Sequence, residues 1–258
     1  MNVAITNIVT RFNIKMNFAE ESKNANISPN ILTDEVYLKK RMELFKKYTY
    51  PSIVNQSYQN LNWYCFFSNE TPLSIKSEIE DLKKYKNFYP IYISDEESMR
   101  FSFVLRENLI QKMDVMKEGD VALTLRLDND DAIGTNYVKE LVKRVSEKDD
   151  SNYAISYAYG VNYYEEKKAI KQRYNINNHF WGTVSTKNSE YIHPYEFSHT
   201  NLQNLMNIEV IGAKKFPLWM EVIHDLNYAN GVEESLEVER IMKLFVSDIR
   251  ENNTICLL

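Results

Sequence analysis

Leu123-Thr124-Leu125-Arg126-Leu127-Asp128-Asn129-Asp130-Asp131-Ala132-Ile133 decides how this chain is read. An apolar, β-prone run from Val121 to Leu127 stops abruptly at three carboxylates packed into four positions. Such a run predicts a buried strand whose C-terminal end carries a polar site. In open α/β sheets that end faces the crevice where ligands bind. With period-two spacing, Asp128 and Asp130 leave the same face of an extended backbone. Carboxylates this close repel one another unless a cation lies between them, and hard oxygen donors suit Mg2+ or Mn2+. Mg2+ takes one or two carboxylates and completes its shell with water and phosphate oxygens. The stretch therefore points to a divalent metal that grips a diphosphate. A solvated Asp/Asn turn is the plainer alternative. A calcium loop fails on spacing, since it needs an acceptor at Ala132 and a glycine at Ile133. A D-x-D-x-[TV] phosphohydrolase fails too, because Ala132 stands where Thr or Val is required.

Outward from this strand, β and α patterns alternate. Val3 to Val9 reads as a first buried strand ending at Thr10-Arg11-Phe12-Asn13. Residues 17–34 read as a loop, and Asp34 suits the N-cap of a helix with Val36, Leu38, Met42, Leu44 and Phe45 on its apolar stripe. Pro51 ends or kinks that helix, and Ser52 to Tyr58 continue it. Asn62 to Ser68 is a second strand, apolar from Trp63 to Phe67 and so buried on both faces. Leu73 to Tyr85 reads as an amphipathic helix, Phe88 to Ile93 as a third strand, and Glu97 to Lys117 as one long helix. This alternation over residues 3–131 predicts a mostly parallel sheet.

After a helix at Gly134 to Glu147 the pattern changes. Tyr153 to Tyr164 and Ala169 to Tyr174 alternate aromatic and polar residues about Glu165-Glu166-Lys167-Lys168, which predicts an antiparallel hairpin. His179 to Thr186 is a further extended piece, and Leu218 to Ile223 a last short strand that delivers His224. Val232 to Ile249 reads as a terminal helix, whose apolar stripe suits core packing, with a dimer or membrane contact as the alternative.

At 258 residues the chain has length for a sizeable core. Its 44% hydrophobic and 26% charged residues are those of an ordinary globular protein, and a net charge of −5 argues against general nucleic-acid binding. Cys65 and Cys256 are too few and too far apart for a disulfide scaffold. No leader pattern and no apolar run near the ~18 residues of a membrane span is present. A cytoplasmic protein is expected, with peripheral contact to the inner face of the cell membrane as an option.

Thr10-Arg11-Phe12-Asn13, Arg41…Leu44-Phe45, Pro51-Ser52…Gln56, Trp63 and Arg126-Leu127-Asp128-Asn129-Asp130-Asp131 together resemble one known family. In their order and spacing the chain is similar to the rhamnosyltransferase family of bacterial polysaccharide synthesis, glycosyltransferases of GT-A type. The likeness is strongest over residues 10–72 and 124–133. It implies a GT-A (nucleotide-diphospho-sugar transferase) fold, α/β with a mostly parallel central sheet, helices on both faces and a smaller antiparallel acceptor-side portion. One domain, 1–258, would hold a donor half (1–135) and an acceptor half with the C-terminal helix (136–258). The resemblance also implies a nucleotide-sugar donor, a saccharide or lipid-linked acceptor, inverting hexosyl or deoxyhexosyl transfer, and a D-x-D motif at Asp128 and Asp130 holding Mn2+ or Mg2+. Trp219…His224…Asn227 resembles a late family segment, which makes His224 the candidate third ligand. One departure is Ser68-Asn69-Glu70, where many GT-A enzymes carry an aspartate near the nucleobase.

Transfer from a nucleotide sugar develops positive charge at the sugar and negative charge on the leaving diphosphate. The expected donor contacts are Thr10, Arg11, Asn13, Arg106, Arg126, Asp128, Asn129 and Asp130. Arg126 is equally suited to pairing with a carboxylate on its own strand face, and Arg106 to a surface role. Inverting transfer needs one base for the acceptor hydroxyl. Asp131, Glu196, His199, Glu221 and Asp225 are candidates, while lone histidines such as His193 and His199 more often serve structure. A non-catalytic carbohydrate- or nucleotide-binding protein that retains the fold is the alternative function.

Overall fold

The computed structural model describes residues 1–15, 29–148, 152–187, 191–196, 207–212 and 216–226. β1 (Asn2–Arg11) is buried through most of its length because its side chains alternate between two apolar layers. Ile8 joins one layer, and Ile5 and Val9 the other. Asp34 caps α1 (Glu35–Leu44), accepting from the Tyr37 N–H at 2.8 Å. A widened turn, Phe45–Thr49, follows and leads into α2 (Tyr50–Val54), with Pro51 in its first turn. The Tyr50 N–H reaches the Phe45 carbonyl, so the helix passes the proline by changing pitch. It ends at Val54, short of the Tyr58 expected from sequence. The Gln56 side chain then donates to the Ser52 and Gly134 carbonyls and accepts from the Val138 N–H, ending the helix in a buried polar tie.

β2 (Asn62–Ser68), α3 (Leu73–Leu82) and β3 (Phe88–Ile93) follow the sequence reading closely. The long helix expected at 97–117 does not. Ser94 and Glu97 form a reciprocal cap on α4 (Asp95–Met99), and Arg100 leaves helical geometry before α5 (Phe101–Ile110) begins. A tight 3-10 turn, Gln111–Val115, leads towards β4 (Asp120–Arg126). β5 (Ala132–Ile133) and α6 (Tyr137–Ser146) follow. Next come β6 (Tyr153–Tyr157), β7 (Tyr159–Tyr164), β8 (Ala169–Tyr174), β9 (Trp181–Thr186), β10 (Ile208–Ile211) and β11 (Trp219–Ile223).

A seven-stranded sheet runs β10-β6-β9-β4-β1-β2-β3, with β9 antiparallel to both its neighbours and every other pairing parallel. Helices lie on both faces. Leu38, Met42, Ile75, Ile79, Val138 and Leu141 cover one face, and Phe101, Leu105 and Leu109 of α5 the other. A second sheet, β5-β11-β7-β8, packs its Val161, Met220 and Val222 against Leu44 and Tyr48.

A further expectation is corrected here. Residues 153–164 are not one hairpin arm. The chain changes sheets at Ala158, leaving β6 in the large sheet while β7 pairs with β8 across the expected turn. β11 pairs with β7 and β5 in the small sheet. The loop at 17–34 falls mostly, and the terminal helix at 232–249, His199 and Asn227 wholly, outside the described residues. Among the described residues no helix is long and apolar enough to cross a membrane.

The crossing at Ala158 requires a glycine. A Cβ on Gly160 would stand 2.0 Å from the Trp219 ring. That ring is pinned, since its Nε1 donates to the Tyr157 carbonyl at 2.6 Å and its face stacks on Phe180 at 4.9 Å. Gly160→Ala is therefore expected to cost about 3 kcal/mol through overpacking. A urea midpoint equal to that of the parent chain would show that Trp219 can move aside.

Candidate active site

At the end of β4 the chain does not continue as a strand. The Asp131 N–H reaches back to the Asp128 carbonyl at 3.4 Å, so the four acidic-motif residues form a turn. Asn129 fastens the turn to the end of β1 by donating to the Phe12 carbonyl at 2.7 Å. Each carboxylate then meets its own partner. Arg126 donates twice to Asp128, both contacts at 3.0 Å. Arg41 of α1 donates to Asp130 at 2.8 Å and also to Asn129. His224 Nε2 lies 2.9 Å from the same Asp130 oxygen, while its Nδ1 accepts from the Leu226 N–H, so Nε2 carries the proton. Asp131 accepts from the Val222 N–H at 2.9 Å and faces His179 Nε2 at 2.7 Å.

His179 arrives from the strand order. Because β9 runs antiparallel to β4, with Leu125 opposite Gly182, the residues just before β9 lie beside the residues just after β4. Its ring packs on Phe180 at 4.3 Å, and Phe180 in turn stacks on Trp219, so the imidazole is braced from behind.

Electrostatics separate the three acids. Burial works against the charged form of Asp128, yet Arg126, His179 and Arg11 hold its carboxyl well below the usual carboxylate range. Asp130 is likewise held low against burial, by the charge of Arg41 and the hydrogen bond from His224. Asp131 goes the other way. Burial pushes it up to about 7, and Asp130 and Asp128 add to the push against the hydrogen bond from His179. Burial opposes the imidazolium of His179, but Asp131 and Asp128 carry it up to about 9. A proton shared between His179 and Asp131 thus offsets an acidic cluster that a cation would also neutralise.

The residues that could hold a metal here differ from the set implied by the resemblance. Ligand atoms of Asp128, Asp131 and His179 lie within 4.8 Å of one another. Two carboxylates and an imidazole are a mixed O/N donor set that fits a divalent transition metal such as Mn2+. Asp130 pairs with both Arg41 and His224.

The remaining expected site residues fall into two groups. Arg11 lies at the cluster, with its guanidinium 4.5 Å from the centre of the Tyr195 ring. Thr10 accepts from the Trp63 indole at 3.0 Å within the core. Asn13 ties the Leu32 carbonyl, Thr71 and the Ser68 N–H together. Arg106 pairs with Glu196 at 2.7 Å, beside a buried His193 that burial and Arg106 push down to about 4. Asp225 is exposed, next to His224, and Glu221 is half-buried on β11. Sequence reasoning left Arg41 without a role, although Arg41 belonged to the motifs carrying the resemblance. It passed over His179 entirely, whose signal would have been a histidine starting a strand antiparallel to β4.

The family described as "Putative rhamnosyl transferase" matches residues 7–234. This chain belongs to that family. The family match spans most of the described structure, including the whole acidic turn, His179 and His224. Among curated proteins none matches the chain. Similar solved structures include S. aureus TarS 1-349, at 8% identity, covering 84% of this chain and 60% of that one, with a TM-score of 0.41. S. aureus TarS at 9% identity covers 85% and 37%, with a TM-score of 0.48. TarS 1-349 in complex with UDP-GlcNAc, at 8% identity, covers 95% and 71%, also at 0.48. The chain thus spans 60% of the length of the first of these structures.

Proposed function

We propose that this member of the rhamnosyl transferase family is a nucleotide-sugar-dependent glycosyltransferase of bacterial surface polysaccharide synthesis. Its donor diphosphate binds at the acidic turn after β4, and a saccharide or lipid-linked acceptor approaches from the side of the small sheet. The observation that supports it best is the Asp128, Asp131 and His179 cluster at the C-terminal end of a central strand. These three residues would hold Mn2+, or Mg2+ where phosphate oxygens and water complete the shell. When bound, the metal supplies Lewis-acid stabilisation to the leaving diphosphate. Arg126 orients Asp128, Val222 and His179 orient Asp131, and Arg11 adds positive charge where the diphosphate charge develops. Exposure beside His224 supports Asp225 as the base for an inverting step. Glu196 is less suited, being paired with Arg106.

Thermal unfolding with UDP, GDP or dTDP, each with and without Mn2+, tests the reading. One nucleotide is expected to raise the melting temperature strongly, and only with metal. Ligation requires an imidazole without its proton, so the metal-dependent affinity is expected to rise between pH 7 and about 9, the value to which His179 is raised. Indifference to all three nucleotides would overturn the proposal. Nucleotide binding without turnover would favour the non-catalytic alternative.

A further inference from the structure

The segment of residues 191–196 lies across the ends of β1 and β4, although it belongs to the second half of the chain. Tyr191 is buried and hydrogen-bonds Thr124 of β4 at 2.7 Å. The Ile192 carbonyl accepts from Thr183 of β9 at 2.8 Å. Tyr195 then donates its hydroxyl to the Val9 carbonyl at 3.0 Å, at the register where Val9 faces Arg126. Phe101 meets the Tyr195 ring edge-on at 5.3 Å. The ring is therefore fixed by a hydrogen bond at one end and an aromatic contact at another.

Two guanidinium groups share this ring. Arg11, from the end of β1, has its central carbon 4.5 Å from the ring centre, and Arg126, from the end of β4, is 5.2 Å from it. Like charges repel, so two arginines on one aromatic surface need a compensating attraction. The π-face supplies part of it, and Asp128 supplies part to Arg126. The outcome is a pair of cations held beside Asp128, both resting on one aromatic ring.

We infer that Tyr195 is a positioning residue that sets Arg11 and Arg126 as a paired cation site for the second phosphate of a nucleoside diphosphate. The inference rests on the donor-site reading above. A monophosphate presents one anionic group and engages the pair weakly; a diphosphate spans it. Tyr195 acts through the arginines and does not itself touch the reacting atoms.

The test uses the full chain with Mn2+ and three nucleotide pairs, UDP and UMP, GDP and GMP, dTDP and dTMP. The quantity measured is the ratio of diphosphate to monophosphate affinity for the pair that binds. Tyr195→Leu and Tyr195→Gln, which remove the π-face, are each expected to lower that ratio roughly tenfold. Tyr195→Phe keeps the ring and is expected to keep the ratio within about twofold, whatever it loses in stability with the hydroxyl bond to Val9. A simple packing defect would weaken both nucleotides together and leave the ratio unchanged, which would overturn the inference. An equal loss in Tyr195→Phe would overturn it as well, by assigning the effect to the hydroxyl. Making both ring-deleting variants keeps the test decisive if one fails to fold. A parent chain that binds no nucleotide overturns the donor-site reading, and the inference with it. A parent chain with normal Mn2+-dependent binding and unchanged variant ratios overturns the inference alone.

Discussion

Asp128→Ala is expected to abolish Mn2+-dependent nucleotide binding while leaving the metal-free chain folded. Asp128 is partly exposed, and Arg126, the residue it pairs with, still rests on the Tyr195 ring. Its removal also relieves a small part of the push on Asp131, which burial chiefly raises. Arg126, 13% exposed, gives up two hydrogen bonds, so some stability is lost as well, but the larger effect falls on the candidate metal cluster, which loses one of its three donors. His179→Ala is expected to weaken the same binding by roughly 10–100-fold. The comparison with His224→Ala is the informative one, since sequence resemblance favours His224 and the geometry gathers His179. Isothermal calorimetry across the three variants decides between them. If His179→Ala binds like the parent chain while His224→Ala loses 10-fold or more (roughly the loss of a metal-site partner), the metal belongs on Asp128, Asp130 and His224.

Asp130→Ala is expected to act on the fold. The Asp130 and Arg41 side chains are 9% and 11% exposed, and the His224 imidazole is buried against the same oxygen. Deleting the carboxylate leaves a guanidinium and an imidazole without their shared acceptor, an uncompensated buried charge that costs about 3–5 kcal/mol. The loss should appear as a lower urea midpoint, already present without metal or nucleotide. A parent-like midpoint together with lost metal binding would instead make Asp130 a ligand and not the anchor that ties α1 and β11 to the acidic turn. The two neighbouring aspartates are thus expected to differ in kind, Asp128→Ala losing chiefly metal-dependent binding and Asp130→Ala chiefly stability.

Much of the fold was legible because burial leaves a local signature. β2 is apolar at almost every position since helices cover both faces of the sheet, and that pattern needs no knowledge of neighbours. Asp34 as a cap was legible for the same local reason, its side chain answering an N–H three residues on. The break at Arg100 and the widened turn before Pro51 were less so. Both keep the apolar spacing of a continuous helix while changing the backbone between its parts.

The amino-acid sequence by itself determined that a buried strand ends in a cluster of carboxylates, because apolar run and carboxylates are adjacent along the chain. It also carried the family motifs, whose order survives as plain linear spacing. Tertiary structure alone decided which carboxylate meets which partner. Period two would have aimed Asp128 and Asp130 together, but the hydrogen bond from the Asp131 N–H to the Asp128 carbonyl curls the backbone, and the two carboxylates take different partners. Arg41 and His224 reach Asp130 from 89 and 94 residues away in sequence, and His179 reaches Asp131 across 48. Such pairings follow from strand order and direction. These are set by how two sheets share one core, and no local pattern of residues encodes them.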